Sequence, residues 1–289
     1  MTPAPLVSVI TTVRDGETSL PGLLAALDAQ TLGRERFEAV VIDNASRDAT
    51  AAVARTWGAV VVSEPVPGRA RARNRGVSAA RARLLAFTDG DCRPRPGWLE
   101  HLVARLARAT LAAGPVVVST GPSPNAIERF EALWRFRHEQ HAAADGWAAT
   151  ANLGMHRAVF DEIGGFDAGL PHIGEDVDLC LRARAAGHTL AWCPEAVVEH
   201  PAETSLRPLL RRAYEHAYSM DALHVRHGFA ADRSWRHPGP LLRGDWALRR
   251  FGADPGTLPA AQRRAVLLAA RLEYAGRMLG SARGRLTRT

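Results

Sequence analysis

Leu84-Leu85-Ala86-Phe87-Thr88-Asp89-Gly90-Asp91, residues 84–91, is an apolar run that ends in two carboxylates separated by one small residue. The run Leu84–Thr88 reads as a buried strand, so Asp89 and Asp91 fall on the loop that leaves it. An Asp-x-Asp tripeptide is expected by chance about once in a chain of this length and by itself reads as a solvated turn. Its place changes that reading, because ligands of open α/β sheets collect outside the carboxyl ends of the strands. Two carboxylates held there can share a hard divalent cation, Mn2+ or Mg2+, through oxygen ligands, and such a cation can bridge a diphosphate.

The same pattern extends to either side of this stretch. Leu6–Val13, Phe37–Ile42 and Ala59–Val62 are further apolar, β-branched runs. Helices are predicted between them over Glu17–Gln30, Ala51–Trp57 and the arginine-studded segment from Gly68 to about Arg83. Continuous apolar strands alternating with helices predict an α/β fold with a mostly parallel sheet and helices on both faces. Beyond the acidic loop, Pro96–Ala109 and Ile127–His141 read as helices and Val116–Ser119 and Ala149–Met155 as strands. A loop over Gly164–Gly174 precedes a helix over Asp176–Ala186, and Thr189–Trp192 and Ala196–Glu199 read as short strands. From Leu206 the pattern is helical and rich in arginine, broken at Pro238-Gly239-Pro240 and Asp254-Pro255-Gly256. The predicted organisation is a catalytic domain over 1–205 and an arginine-rich helical appendage over 206–289.

The strand ends gather Thr12, Arg14 and Asp15 after the first strand, Asp43 and Asn44 after the second, and Asp89 and Asp91 after the fourth. A bland core has no use for such a convergence. Over 289 residues, 46% are hydrophobic and 23% charged, which excludes wholesale disorder. All 37 basic residues are arginine, against 30 acidic residues, for a net charge of +7. Arginine bias reports a GC-rich genome in the first instance, and its bidentate donors also suit phosphates. Cys92, Cys180 and Cys193 form no CxxC pair, so a disulfide framework or cysteine zinc site is not expected. With no apolar run long enough to span a bilayer and no signal-peptide pattern, the expected location is cytoplasmic, with room for a peripheral contact at the inner face of a membrane. Leu206, Leu209, Leu210 and Ala213 recur at helical spacing beside Arg207, Arg211 and Arg212, which fits either a helix docked on the catalytic domain or a membrane-surface helix.

The ordered stretches VSVITTVRDGE, VVIDNASRDAT, GRARARNRG, LLAFTDGDCRPRPGWLE, ATANLGMHRAVFDEIGGFD and GEDVDLCLRARAAG, followed by VVEHP, resemble family-2 glycosyltransferases of the GT-A (Rossmann-like) fold over about residues 6–201. The resemblance implies an inverting, metal-dependent transferase that takes a nucleoside-diphosphate sugar. The acceptor would be a glycan, a lipid-linked molecule or a small molecule. It implies nucleotide-sugar contacts at Thr12, Arg14, Asp43, Asn44, Arg73 and Asp89, and a metal site at Asp89, Asp91 and His200, with Cys92 where a third acidic residue often stands. The turn that ordinarily reads Asp-Asp-Gly-Ser is here Asp43-Asn44-Ala45-Ser46. Asn152 and Asp167 correspond to positions lining the acceptor side, and Arg157 either joins them or starts a helix. Asp176 corresponds to the general base, with Glu175 beside it as a capping or orienting group. Read from the residues alone, Glu175-Asp176 is also a favourable helix N-terminus. Arg73 is either a phosphate contact or part of a solvated helix face, and His200 either a ligand or a structural histidine.

Two rival readings stand beside this one. A sugar nucleotidyltransferase would want a glycine-rich loop with a basic residue after the first strand, which Thr11–Gly16 does not supply. A non-catalytic arginine-rich module for membrane surfaces or nucleic acid would leave the acidic cluster unexplained, and no nucleic-acid partner is expected.

Overall fold

Val7–Val13 (β1) and Phe37–Asp43 (β2) are buried on consecutive residues, so both faces of these strands are covered and their sequences need no alternation. They pair in parallel, Val7 opposite Phe37 and Val13 opposite Asp43. The computed structural model describes residues 4–136, 138–170, 173–228 and 259–286. Val60–Ser63 (β3) joins β2 in parallel, and Leu84–Phe87 (β4) joins the other side of β1, also in parallel. Leu153–His156 (β8) is antiparallel to β4 and to Leu111–Ala113 (β6), and β6 pairs in parallel with Leu190–Trp192 (β9). The order β3-β2-β1-β4-β8-β6-β9 is a mostly parallel seven-stranded sheet, as the strand–helix alternation predicts.

Arg93–Pro94 (β5), Val116–Ser119 (β7) and Val198–Pro201 (β10) form a second, three-stranded sheet in the order β5-β10-β7. Glu199 lies opposite Arg93 and Val198 opposite Pro94, so one further step along this antiparallel pair brings His200 alongside Cys92.

The connecting helices are Leu20–Asp28 (α1), Thr50–Trp57 (α2), Arg69–Ala79 (α3), Trp98–Leu106 (α4), Ala126–Trp134 (α5), His138–Ala144 (α6), Arg157–Glu162 (α7) and Glu175–Ala185 (α8). Four expectations are corrected. The strand β6 was not foreseen, because Leu-Ala-Ala has little β propensity and is recruited by its neighbours. The single helix expected over Ile127–His141 is two, α5 and α6, with Arg135 extended and Phe136 left-handed between them. The strand expected from Ala149 begins only at Leu153, after a 3-10 turn over Thr150–Asn152. The arginine-studded helix also stops four residues early, at Ala79. Arg157 donates to the carbonyls of Val77, Ala80 and Ala82 around and beyond that helix end.

Contacts divide the chain into two compact units. The first comprises Met1–Val117, His138–Gly169 and Glu175–His200; the second comprises Val118–Arg137, Leu170–Gly174 and Pro201–Thr289. The second unit thus contains α5 together with the C-terminal helices Leu206–His227 (α9) and Ala260–Leu286 (α10). Phe130, Leu209, Val266, Ala269 and Ala270 form its core. Glu131, fully buried, accepts from Arg135, Arg212 and the backbone N–H of Glu203; burial opposes its charge, but the two guanidiniums hold its pKa below the usual carboxylate value. The apolar side of α9 and Arg212 therefore serve packing inside this unit. The chain breaks expected at Pro238-Gly239-Pro240 and Asp254-Pro255-Gly256 lie outside the described residues. Among the described residues no helix is long and apolar enough to cross a membrane.

Close approach of α9 and α10 depends on two glycines one turn apart. A Cβ on Gly280 would stand 2.1 Å from the Tyr214 carbonyl oxygen, whereas one on Gly276 would meet Leu210 and Ala213 at 3.2 Å. Gly280→Val should therefore destabilise the second unit by about 2–3 kcal/mol, and Gly276→Ala by less, because backbone cannot yield as a side chain does. Urea denaturation of the two variants checks the ranking.

Candidate functional site

The parallel register aligns Val13, Asp43 and Ser63 along one edge of the large sheet, the edge from which Asp89 and Asp91 also emerge. Thr12 is half-buried near the end of β1, and Arg14 is exposed, with its guanidinium 3.8 Å from Asp15. The loops after β1 and β2 are laced together. Ser46 Oγ accepts from the Asp15 backbone, Asp15 Oδ1 from Arg47, Thr50 Oγ1 from Gly16, and Asp43 Oδ1 from Ser46. Asn44 is engaged on both sides of its amide. Its Nδ2 donates to the carbonyls of Glu64 and Val66, and its Oδ1 accepts from Gly68. It braces the 64–68 loop. Ala45 sits at φ +60°, in the left-handed region that glycine occupies without penalty. Ala45→Gly should raise stability by about 1 kcal/mol, read as an upward shift in melting temperature.

At the centre of the site is Arg73. The buried stripe of α3 is Ala72, Arg73, Gly76 and Val77, which turns Arg73 inward while Arg69, Arg71 and Arg75 remain outside it. Its Nη1 donates to Glu175 Oε1 and its Nη2 to Asp89 Oδ1 at 3.2 Å, and its guanidinium lies 5.7 Å from the centroid of the Phe166 ring. Burial opposes the charge, but Glu175, Asp89 and Asp176 outweigh it and raise the arginine pKa. Arg73 is thus no part of a solvated helix face: it ties the acidic loop after β4 to the first turn of α8. Asn74 clamps the backbone of Phe166 in both directions, and Arg182 holds the carbonyls of Ile163 and Gly165 at 2.5 and 2.6 Å.

With Glu175 engaged by Arg73, Asp176 is the other carboxylate of the pair. It is half-buried, and its oxygens accept from Val177 N at 2.9 Å and Thr150 N at 3.3 Å. The protein packed around it, followed by the charge of Glu175, pushes its pKa up to about 6, against the pull of Arg73 and the two N–H groups. A carboxyl with that pKa can take up and release a proton near neutrality.

The second corner is a donor cluster. Ligand atoms of Asp89, Cys92 and His200 lie within 4.8 Å of one another, and His200 Nε2 is 3.7 Å from Asp91 Oδ1. His200 is buried, while Asp91 is more open. Burial, then Asp89 and Asp91, drive the Cys92 thiol well above its ordinary pKa, so that without a cation it stays protonated. Two carboxylates and an imidazole suit a hard or borderline divalent ion. Gly90 is required between the carboxylates, since a Cβ there would lie 2.6 Å from Val13 Cγ2.

The two expected acceptor-side residues differ in their surroundings. Asn152 is 1% exposed and fully engaged: Nδ2 donates to Pro115 and Ala196 carbonyls and Oδ1 accepts from the Trp98 indole. It knits the two sheets together and has no atom left for an acceptor. Asp167 is half-buried, with Oδ1 accepting from Gly169 in its own turn.

The chain is similar to known proteins over much of its length. Residues 8–164 match the family described as glycosyl transferase family 2. Glycosyltransferase AglE of Haloferax volcanii is 28% identical over 240 residues, covering 78% of each chain. The pre-mycofactocin glycosyltransferase of Mycobacterium tuberculosis is 32% identical over 206 residues; these are 66% of this chain but 42% of that protein's length. Among solved structures, the mannosyltransferase PcManGT from Pyrobaculum calidifontis, in complex with GDP-Man and Mn2+, superposes with a TM-score of 0.65 at 21% identity. It covers 100% of this chain and 89% of its own.

Proposed function

Because the chain belongs to glycosyl transferase family 2, we propose that it moves a sugar from a nucleoside-diphosphate donor to an acceptor hydroxyl, with inversion at the anomeric carbon. The observation that carries this reading is the pairing of Asp176, a half-buried carboxyl raised to about 6, with an acidic loop joined to it through Arg73. Asp176 accepts the proton of the acceptor hydroxyl as that oxygen attacks. Glu175, held by Arg73, keeps the first turn of α8 in place, and its charge helps to raise the Asp176 pKa. Thr12, Arg14 and Asp43 border the base and ribose, and Asp167 stands on the acceptor side, where a glycan, a lipid-linked molecule or a small molecule would enter.

Asp89, Asp91 and His200 would hold a divalent cation, Mn2+ or Mg2+, with Cys92 beside them. When bound, it supplies positive charge to offset the departing diphosphate. The solved mannosyltransferase of like fold, with its GDP-Man and Mn2+, supports this donor class.

A thermal-shift panel of UDP-, GDP- and dTDP-sugars with and without Mn2+ tests the reading. A matched donor at 100 times its dissociation constant should add about 2.7 kcal/mol of stability. Turnover should vanish in excess EDTA, and Asp91→Asn should cost on the order of 2–4 kcal/mol of transition-state stabilisation. Full turnover in EDTA, or a product whose NMR spectrum shows retained anomeric configuration, would overturn the proposal.

A further inference from the structure

On α10 the small residues and Tyr274 face inward, Leu267 and Met278 pack against the inner clusters, and Leu268 and Leu279 face outward. Val266, Ala269, Ala270, Gly276 and Gly280 are buried. On the opposite side Arg264, Leu268, Arg271, Ala275 and Leu279 follow one another at four, three, four and four residues, a single stripe on a helix. Leu268 is 55% exposed and Leu279 66%. Arg263, Arg264, Arg271 and Arg283 are exposed as well, whereas Glu273, the single acidic residue in the sequence of α10, is buried on the inner side. Docking alone gives no reason to leave Leu268 and Leu279 outside or to expose charge of one sign only.

Charge is divided in the same way along the chain. Residues 206–289 carry 16 arginines against 6 acidic residues, a net +10, while residues 1–205 carry 21 against 24, a net −3. The whole excess of positive charge therefore lies in the segment that contains α9 and α10.

We propose that the outward face of α10 is a contact for an anionic lipid surface, lying in the interfacial plane with Leu268 and Leu279 among the upper acyl carbons and the arginines among the headgroup phosphates. The two leucines are 11 residues apart, about 16 Å along the helix, so both reach a flat surface together. A face with exposed leucines, basic flanks and no exposed acid matches the composition of interfacial helices. A second copy of the chain is a poorer occupant, because an isologous contact would set this arginine-rich face against itself. Nucleic acid would satisfy the arginines but not the leucines.

Co-sedimentation of the full chain with vesicles of phosphatidylcholine, with or without phosphatidylglycerol, tests this. Binding should require the anionic lipid and weaken at least about tenfold when salt rises from roughly 0.05 to 0.5 M. Leu268→Ser with Leu279→Ser should weaken vesicle binding by about tenfold or more while leaving the melting temperature unchanged, since both side chains are exposed. Arg263→Gln with Arg264→Gln should reduce it by about fivefold per residue. The proposal is overturned if neutral and anionic vesicles bind alike, or if the leucine variant binds as the wild type does. It also falls if the leucine variant abolishes a dimer seen by sedimentation velocity, or if duplex DNA competes with the vesicles for wild type and leucine variant equally.

Discussion

Arg73→Met should leave no measurable turnover and lower the stability of the first unit by about 3–5 kcal/mol, the loss expected when one partner is removed from a buried ionic network. The guanidinium is 4% exposed and stands between Glu175 and Asp89, with Asp176 close enough to feel its charge. Methionine can fill much of the volume and still rest against Phe166, so the loss isolates charge and hydrogen bonding from packing. Without Arg73 three carboxylates share one edge of the sheet with no interior cation among them. The destabilisation should therefore shrink on acidification to about pH 5, where carboxyl protonation relieves the repulsion. Arg73→Lys keeps the charge but cannot bridge two carboxylates with one planar fork, so it should recover stability more than turnover. Urea denaturation at pH 5 and pH 8, beside turnover assays, reads both effects. A stability loss below about 1 kcal/mol for Arg73→Met at pH 8 would show that the network is not ionic in the way its geometry requires.

The sheet was legible in the sequence because its strands are buried on both faces, which leaves continuous apolar runs ending in polar residues at one edge. Asp89, Asp91 and Asp176 could be placed from those ends and from the Gly-Glu-Asp that opens α8. Arg73 was less legible, because four arginines alternate along Arg69–Arg75 and their composition suggests solvent. The helical period, with Ala72, Gly76 and Val77 as companions, is the signal that turns Arg73 inward. The internal hydrogen bonds of Asn44 and Asn152 were hidden for a related reason. A buried asparagine offers two donors and an acceptor, and only coordinates tell whether loop carbonyls such as those of Glu64, Val66, Pro115 and Ala196 have already taken them. The break between α5 and α6 was invisible because nothing at Arg135-Phe136 is a helix breaker; Arg135 is drawn instead to the buried Glu131 of its own helix.

Asp176→Asn should reduce turnover by roughly 10²–10⁴-fold while making the fold more stable at alkaline pH, and the pairing of these opposite effects distinguishes a base from a structural carboxylate. In the folded protein the Asp176 pKa is raised to about 6, burial first and Glu175 second, while in the unfolded chain it lies near its ordinary value. A raised folded pKa means that the protonated form is favoured by folding. The resulting stability is fully present below the unfolded pKa, about pH 4, and is lost as pH rises through about 6. Above that pH the wild type carries an ionised carboxylate that its surroundings resist. Two units correspond to a ceiling of about 3 kcal/mol. Partial access to solvent reduces it, and asparagine reduces it further, because one amide can accept from Val177 N or Thr150 N but not from both. A net gain of about 1 kcal/mol at pH 8, vanishing near pH 4, is therefore the expected difference between the two proteins. The wild-type kcat should fall on its acid side with an apparent pKa near 6, about two units above an ordinary aspartate, because only the ionised form takes the acceptor proton. Thermal melts of both proteins from pH 4 to pH 8, beside the wild-type rate profile, measure all three quantities. A variant that keeps near-normal turnover, or one less stable than the wild type at pH 8, would remove Asp176 from the role of base.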